Sequence, residues 1–165
     1  MTENRHYLRF AEEANYWDTT VKPESSLTEI VEMLEKFGAD VVMMGRGNAG
    51  GRYTWLVRFQ WQGRTYRFAF TPLICRADSK LANFGGKRRM HIEQARYQMG
   101  RIAMNFVKAI LTAAEAQPHA LFGFMELPEA ASEAGIPPVA AELDVSVLIS
   151  AAPLLQLPFT TGDNP

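Results

Sequence analysis

The chain has 165 residues and 47% of them are hydrophobic, which excludes an intrinsically disordered protein and predicts one domain with its own core. Residues 1–20 carry charges where a signal peptide needs an apolar centre, and apolar runs elsewhere are too short or too interrupted to span a bilayer. The formal net charge is −1. The lone Cys75 cannot form an internal disulfide, which fits a reducing compartment. From these observations together we expect a cytoplasmic protein without a membrane partner.

The first predicted element is a helix over residues 27–37, in the stretch SSLTEIVEMLEKFG. Ser26 and Glu29 have the spacing of a capping box, and Gly38 supplies the stop. The apolar residues recur at helical spacing and predict one buried face, formed by Leu27, Ile30, Val31, Leu34 and Phe37.

Three strands are predicted after this helix. The first is the short apolar run VVMM (41–44), which ends in GRGNAGG. Residues 52–61 and 64–71 follow, and in both segments aromatic or other apolar residues alternate with polar or smaller ones. Gln62 and Gly63 between them favour a two-residue turn, so the strands form an antiparallel meander with one aromatic face.

That turn fixes the register of the last two strands and places Arg58 directly opposite Arg67. Like charges opposed across a sheet are mildly destabilising, so a negative group is expected close to them. One interpretation is a phosphate, because arginine binds phosphate oxygens in bidentate fashion. In the alternative, the two side chains splay apart into solvent, or acidic residues of the C-terminal tail pair with them.

The rest of the chain is dominated by a second, longer helix. Residues 71–89 have no sustained periodicity and are interpreted as a long surface loop. The long helix is predicted from His91 to about Gln117, because its apolar residues follow one stripe up to Pro118. In the tail beyond it, a short helix is expected near 128–134 and apolar patches lie at 145–149 and 154–159.

Together these elements predict an α+β fold in which the long helix packs on the aromatic face of the sheet. The expected divisions are an N-terminal extension (1–20), an α-β-β-β-α domain (21–117) and an irregular Ala/Pro-rich tail (118–165) that packs on the domain or on a partner.

The charges are segregated along the chain. Residues 1–45 hold four Lys/Arg and nine Asp/Glu, residues 46–108 hold thirteen and two, and residues 109–165 hold none and seven. A middle segment with a net charge of +11 is typical of a protein with an anionic partner, although the acidic flanks could also fold back and neutralise it.

Nine basic residues of the middle segment are candidate contacts to phosphate or nucleic acid. Three of them, Lys87 to Arg89, come just before the long helix, whose N-terminus favours anions. Arg96 lies at the edge of the apolar stripe, where its guanidinium either reaches the rim or has a specific partner. The full set is Arg52, Arg58, Arg64, Arg67, Lys87, Arg88, Arg89, Arg96 and Arg101.

No catalytic constellation stands out in the sequence. The glycines of GRGNAGG have the spacing of a dinucleotide fingerprint, but an alternating strand follows where a helix would have to begin. His6, His91 and His119 lack a metal-ligand spacing, and Cys75 has no evident base. We therefore expect a protein that is not an enzyme, without a metal or a cofactor.

Four stretches carry a resemblance to a known family: TTVKPESSLTEIVEMLEKFGAD, YTWLVRFQWQGRTYRFAFTPL, EQARYQMGRIAMNFVKAILTAAEAQ and PLLQLP. They resemble a family of small proteins of unknown function carried by phages, prophages and other mobile elements, mainly over residues 19–117. A tryptophan of that family's long helix is missing here, where Met99 or Gly100 stands. Because the family has no established activity, the resemblance implies a mobile-element setting in a bacterial host and assigns no functional residue.

The leading functional hypothesis is a non-enzymatic nucleic-acid-binding protein, largely nonspecific for sequence, that contacts phosphates through the basic residues. A second is a phage counter-defence protein that sequesters a nucleotide signal or inhibits a host defence enzyme. A third is a structural subunit whose acidic ends dock on the basic middle of a neighbour. DNA, RNA and small nucleotides all stay open as ligands, and a host protein or a second copy of the chain as further partners.

Overall fold

The aromatic residues that alternate through the middle of the chain form one face of a three-stranded antiparallel sheet, and two helices cover that face. The computed structural model describes residues 9–127 and 137–142, and the α+β class predicted from the sequence is confirmed. The elements are α1 (Pro23–Phe37), β1 (Val41–Ala49), β2 (Arg52–Trp61), β3 (Arg64–Phe70), β4 (Leu81–Phe84), β5 (Lys87–Met90) and α2 (His91–Ala116). Short 3-10 helices span Ala11–Glu13, Pro118–Phe124 and Ala140–Glu142.

The register between β2 and β3 follows from the turn that joins them. Gln62 and Gly63 both have positive φ, 49° and 73°, as a two-residue hairpin turn requires. The turn pairs Trp61 with Arg64, and on the same face Phe59 lies opposite Tyr66, Val57 opposite Phe68 and Trp55 opposite Phe70. The predicted register is therefore confirmed along the whole length of the pair.

The first strand is longer than predicted. Gly50 and Gly51 have φ of 57° and 76° and form a second tight turn, so β1 pairs with β2 up to Ala49 instead of ending at residue 44. The stretch GRGNA lacks the alternation that marks a strand, and only its pairing with β2 makes it one.

The core lies between the sheet and the two helices. Trp55, Val57 and Phe59 of β2 are at most 1% exposed, and they pack with the fully buried Ile30 and Leu34 of α1. Burying side chains of this size stabilises the fold by about 1.5–3 kcal/mol each. The long helix adds the predicted apolar stripe, of which Met99, Ala103, Val107, Leu111 and Ala114 are buried.

The start of α1 differs from the prediction. The helix begins at Pro23, so Ser26 lies inside it, fully buried, and does not cap it. Proline suits the first helical position because its φ is already helical and its missing N–H would have no partner there. Ser26 faces Gly100 of α2, where an added Cβ would lie 3.2 Å from the serine Cβ. Two small residues thus allow the helices to approach closely.

Residues 71–89 are only partly the loop that the sequence suggested. Their second half forms the β4–β5 hairpin, which turns at Gly85 and Gly86, both with positive φ. Its strands have four residues each and no apolar alternation, so periodicity could not reveal them. The hairpin delivers Lys87, Arg88 and Arg89 directly to the start of α2.

The described part of the predicted N-terminal extension, from residue 9 to residue 20, packs against α2. Two fully buried glutamines of that helix hold its backbone. The Gln98 amide donates to the carbonyl oxygens of Ala11, Ala14 and Asn15 at 2.8–3.3 Å. The Gln94 amide donates to those of Trp17 and Thr19 at 2.7 and 2.8 Å. Hydrogen bonding therefore anchors a segment whose only helix or strand is the 3-10 turn at Ala11–Glu13 in its described part.

Glu12 adds a pH-dependent contact to the same region. Its carboxylate accepts hydrogen bonds from the Arg76 backbone amide and contacts His91 Nδ1 at 2.9 Å. Burial alone raises the pKa of the Glu12 carboxyl, but the backbone hydrogen bonds and His91 outweigh it and hold the pKa below the usual 4.5.

We expect Glu12→Gln to flatten the acid limb of the stability curve. A carboxyl whose pKa is lowered by folding stabilises the protein fully above its unfolded pKa, and this contribution is lost as pH falls through the folded value. Below about pH 4.5, the free energy of unfolding should fall more steeply with decreasing pH in the wild type than in the variant. The difference between the two slopes should correspond to the uptake of less than one proton on unfolding. Urea titrations at several pH values measure this, and parallel curves would contradict it.

The chain after α2 extends the sheet beyond β3. Met125 forms a bridge with Tyr66, and Glu126 forms another with Val139. Met125, Leu127 and Ala140 of these segments are buried in the core. The expected helix near 128–134 and the apolar patches at 145–149 and 154–159 lie outside the described residues. Within the described ranges, no helix is long and apolar enough to cross a membrane.

Candidate nucleic-acid interface

The opposed arginines of the sheet have internal acidic partners. Both oxygens of Glu126 accept hydrogen bonds from Arg58, at 2.8 and 2.7 Å, and one of them lies 3.7 Å from Arg67 Nε. Glu142 forms a second two-pronged contact with Arg67, at 3.0 and 2.7 Å. The side chain of Glu126 is only 2% exposed, so this carboxylate is enclosed by the two guanidinium groups.

This arrangement shows why Arg58 and Arg67 can lie opposite each other across the sheet. The alternative in which acidic tail residues pair with Arg58 and Arg67 is the one observed, and the pair has no need of an external anion. No local pattern links Glu126 to Arg58, because 68 positions along the chain separate the two residues. Its position in an acidic tail was the only signal available.

Three further candidates are engaged at separate places. Arg52 donates to the Pro72 carbonyl oxygen at 2.6 Å, and Arg64 contacts the Met125 sulfur at 3.2 Å. Arg101 forms an ion pair with Glu29 of α1 at 2.9 Å. Each of these three arginines has its own partner and holds elements of the fold together.

The remaining four candidates are Lys87, Arg88, Arg89 and Arg96. Arg89 is buried, with only 9% of the residue exposed, and we call the three exposed residues, Lys87, Arg88 and Arg96, the β5–α2 cationic surface. Lys87 and Arg88 are exposed and have no side-chain partner among residues 9–127 and 137–142. None of the four forms an ion pair with a carboxylate in the described part of the chain. Their charges are therefore uncompensated by direct contacts there.

Two of these residues stack on tyrosines. The Arg89 guanidinium lies 4.0 Å from the ring centre of Tyr97, and its Nη1 donates to Gln94 Oε1 at 2.6 Å. The Arg96 guanidinium lies 4.3 Å from the ring centre of Tyr53. Arg96 thus has the specific partner that was one of its two predicted fates. The stack on Tyr53 holds the Arg96 guanidinium in place while its charge stays available, because Arg96 is exposed, whereas Arg89 is buried.

The N-terminus of α2 offers less to an anion than the sequence suggested. The amides of His91 and Ile92 already donate to the carbonyl oxygens of Lys80 and Asp78. Glu93 accepts from the Met90 amide at 3.2 Å and brings a negative charge into the first turn. The cationic side chains, and not the helix end, are consequently the better anchor for phosphate.

An open cleft of about 580 Å³ adjoins this surface, between the start of α1, the far end of the β1–β2 hairpin and α2. We call it the arginine–tyrosine cleft, after Arg46, Tyr53, Arg96 and Tyr97, which line it together with two acidic residues. Tyr53 is fixed there because its hydroxyl accepts a hydrogen bond from Trp55 Nε1 at 2.9 Å. The sequence analysis missed the cleft because its walls come from three elements that are distant along the chain.

The described residues offer neither an ionised thiol nor a cluster of metal-binding side chains. Burial, with the charges of Glu12 and Asp78 adding to it, raises the pKa of the Cys75 thiol to about 11, so the thiol is protonated at neutral pH. In residues 9–127 and 137–142, no group of three or more His, Cys, Asp or Glu side chains is placed to hold a metal ion.

Comparisons with known proteins add no relative. The sequence matches no family model, and no curated protein or solved structure is significantly similar to it.

Proposed function

We propose that this chain is a non-enzymatic nucleic-acid-binding protein, largely nonspecific for sequence, that contacts phosphates through the β5–α2 cationic surface. The observation that carries the proposal is the absence of ion-pair partners for Lys87, Arg88 and Arg96 within the described residues, in contrast to Arg58, Arg67 and Arg101. Unpaired lysines and arginines side by side are the usual phosphate contacts of nonspecific binders.

The stack of Arg96 on Tyr53 also supports this proposal. The exposed Arg96 is held over the tyrosine ring, so less side-chain freedom is lost when it binds a phosphate. The surface is small, since it offers three exposed cations. Three phosphate contacts give a log–log salt slope of about −2 for a single strand, and a rise from about 50 to 200 mM salt then weakens binding about 20-fold.

We expect Lys87→Ala/Arg88→Ala to weaken nucleic-acid binding at least about tenfold at low salt and to make the salt slope less negative by about 1.4 for a single strand. Both side chains are exposed, so the fold should be unaffected. The measurement is a titration of labelled single- and double-stranded oligonucleotides at two salt concentrations, followed by fluorescence anisotropy.

Lys36→Ala/Lys108→Ala is the matched control for this pair. It removes the same charge from two other exposed positions, beside Arg101 and away from the β5–α2 cationic surface. The control should retain wild-type affinity. Equal losses in both double variants would mean that only total charge matters, and no binding of the wild type to either oligonucleotide at low salt would overturn the proposal.

A second candidate function is the sequestration of a small nucleotide signal by a counter-defence protein of a phage or mobile element. The volume of the arginine–tyrosine cleft favours it, because about 580 Å³ falls within the usual size range of small-molecule sites; the nucleotide's base would lie in the cleft and its phosphates on the cations beside it. Binding of a mononucleotide in a pocket depends far less on salt than binding of a polymer. The same titration with a mononucleotide competitor therefore separates the two functions.

A further inference from the structure

The charges that line the arginine–tyrosine cleft balance one another. Arg46 and Arg96 line it together with Glu24 and Glu93, and Arg46 already contacts Glu24 at 3.5 Å. A cleft with equal numbers of cations and carboxylates is a poor site for a phosphate group. It suits an uncharged, planar group with polar edges, and Lys87 and Arg88 of β5 are not among the residues that line it.

Arg96 presents such a planar group with a stacking surface. One face of its guanidinium lies on Tyr53, and the residue is exposed, so its other face is open to the cleft. Nucleobases stack on arginine planes and aromatic rings in complexes with single strands. The Tyr53–Arg96 stack therefore forms a platform on which one base can lie as a third layer.

Polar groups around this platform match the edge of a base. Glu24 and Glu93 supply hydrogen-bond acceptors, and the Asn48 amide supplies both a donor and an acceptor. In a duplex the Watson–Crick edge of a base is occupied by its partner, and both of its faces are stacked. Only an unpaired base can present a free face and a free edge at once.

We infer that the arginine–tyrosine cleft holds an unpaired base of a single-stranded nucleic acid, while phosphates of the same strand lie on the β5–α2 cationic surface. Arg96 joins the two sites, because it belongs to the exposed surface and also lines the cleft. This inference rests on the proposed function and adds the strand class and the position of a base.

The test compares three labelled probes of equal length: a single strand, its duplex, and an abasic strand that keeps the sugar–phosphate chain but carries no bases. Stacking of one base on such a platform is expected to favour the single strand over the abasic strand about tenfold. If the wild type binds all three probes equally, the inference is overturned and the proposed function stands. If it binds none of them at low salt, both fail.

Two variants assign the base preference to the cleft. Arg96→Lys keeps the positive charge but removes the plane, so the ratio of single-strand to abasic affinity should fall from about ten to about one. Lys87→Ala/Arg88→Ala should lower both affinities and leave the ratio unchanged. A ratio that survives in Arg96→Lys would overturn the assignment of the base to this cleft, whatever the affinity for phosphate.

Discussion

Gln98→Leu is expected to lower the free energy of unfolding by about 2–3 kcal/mol, since it leaves part-buried carbonyl oxygens without their donor. The Gln98 amide reaches three backbone oxygens of the N-terminal segment, and the side chain is fully buried. Ala11 O keeps a second donor in the Ala14 amide, so the oxygens of Ala14 and Asn15 bear most of the loss. Each such group costs about 1–3 kcal/mol.

One feature of Gln98 reduces this cost. Its own side-chain oxygen is buried without a hydrogen-bond partner, and leucine removes that unpaired acceptor. Leucine and glutamine also have similar helix propensities, so the helix itself is not weakened. The net loss should therefore lie below the sum of two unpaired carbonyl groups.

Urea denaturation measures the change, and hydrogen exchange shows where it acts. We expect the amides of residues 11–19 to lose protection first, because the glutamines of α2 are their main attachment. Gln60→Leu is the control, as it makes the same exchange at an exposed strand position and should cost less than about 0.5 kcal/mol. An unchanged urea midpoint in Gln98→Leu would contradict the role given to this side chain.

Glu126→Ala is expected to be about as costly, at roughly 3 kcal/mol, for an electrostatic reason. It removes the carboxylate that both Arg58 and Arg67 contact, and the side chain of Arg67 is only 11% exposed. Breaking a buried ion pair from one side leaves an uncompensated charge, which typically costs 3–5 kcal/mol. Partial solvation of Arg58 and the contact of Arg67 with Glu142 place the expected value at the lower end.

Two comparisons make this prediction specific. Glu142→Ala removes a carboxylate that is 45% exposed, so it should cost less than about 1 kcal/mol. Arg58→Met/Glu126→Met removes charge from both sides and should recover most of the stability lost in Glu126→Ala. Thermal or urea unfolding of the three variants decides the matter. If Glu126→Ala lowers the free energy of unfolding no more than Glu142→Ala does, the Glu126 carboxylate is not the main stabilising partner of the two arginines.

The sequence predicts the parts of this fold that local rules determine. A two-residue turn at Gln62 and Gly63 sets the register of β2 and β3, and the apolar stripe sets α2. The start of α1 was misplaced because Ser26 has the chemistry of a cap, while its burial against Gly100 depends on a helix that comes much later. The β4–β5 hairpin is too short for its periodicity to be read.

The candidate site was only partly predictable for the same reason. The charge pattern shows that basic residues are concentrated in one part of the sequence. It does not show which carboxylate contacts each of them in the folded protein. Arg58 and Arg67 receive partners from beyond α2, whereas Lys87 and Arg88 do not within the described residues. A composition count cannot distinguish these cases, because all four contribute the same charge.

The contact between Glu126 and Arg58 also bears on how the protein folds while it is being synthesised. During synthesis the strands that carry Arg58 and Arg67 leave the ribosome well before Glu126 does, since 68 residues separate it from Arg58. Until then a nascent sheet would hold two adjacent guanidinium groups without their carboxylate. Arg58 and Arg67 therefore gain their carboxylate partner only after α2 has emerged. A late step of folding during synthesis thus depends on the segment that follows the long helix.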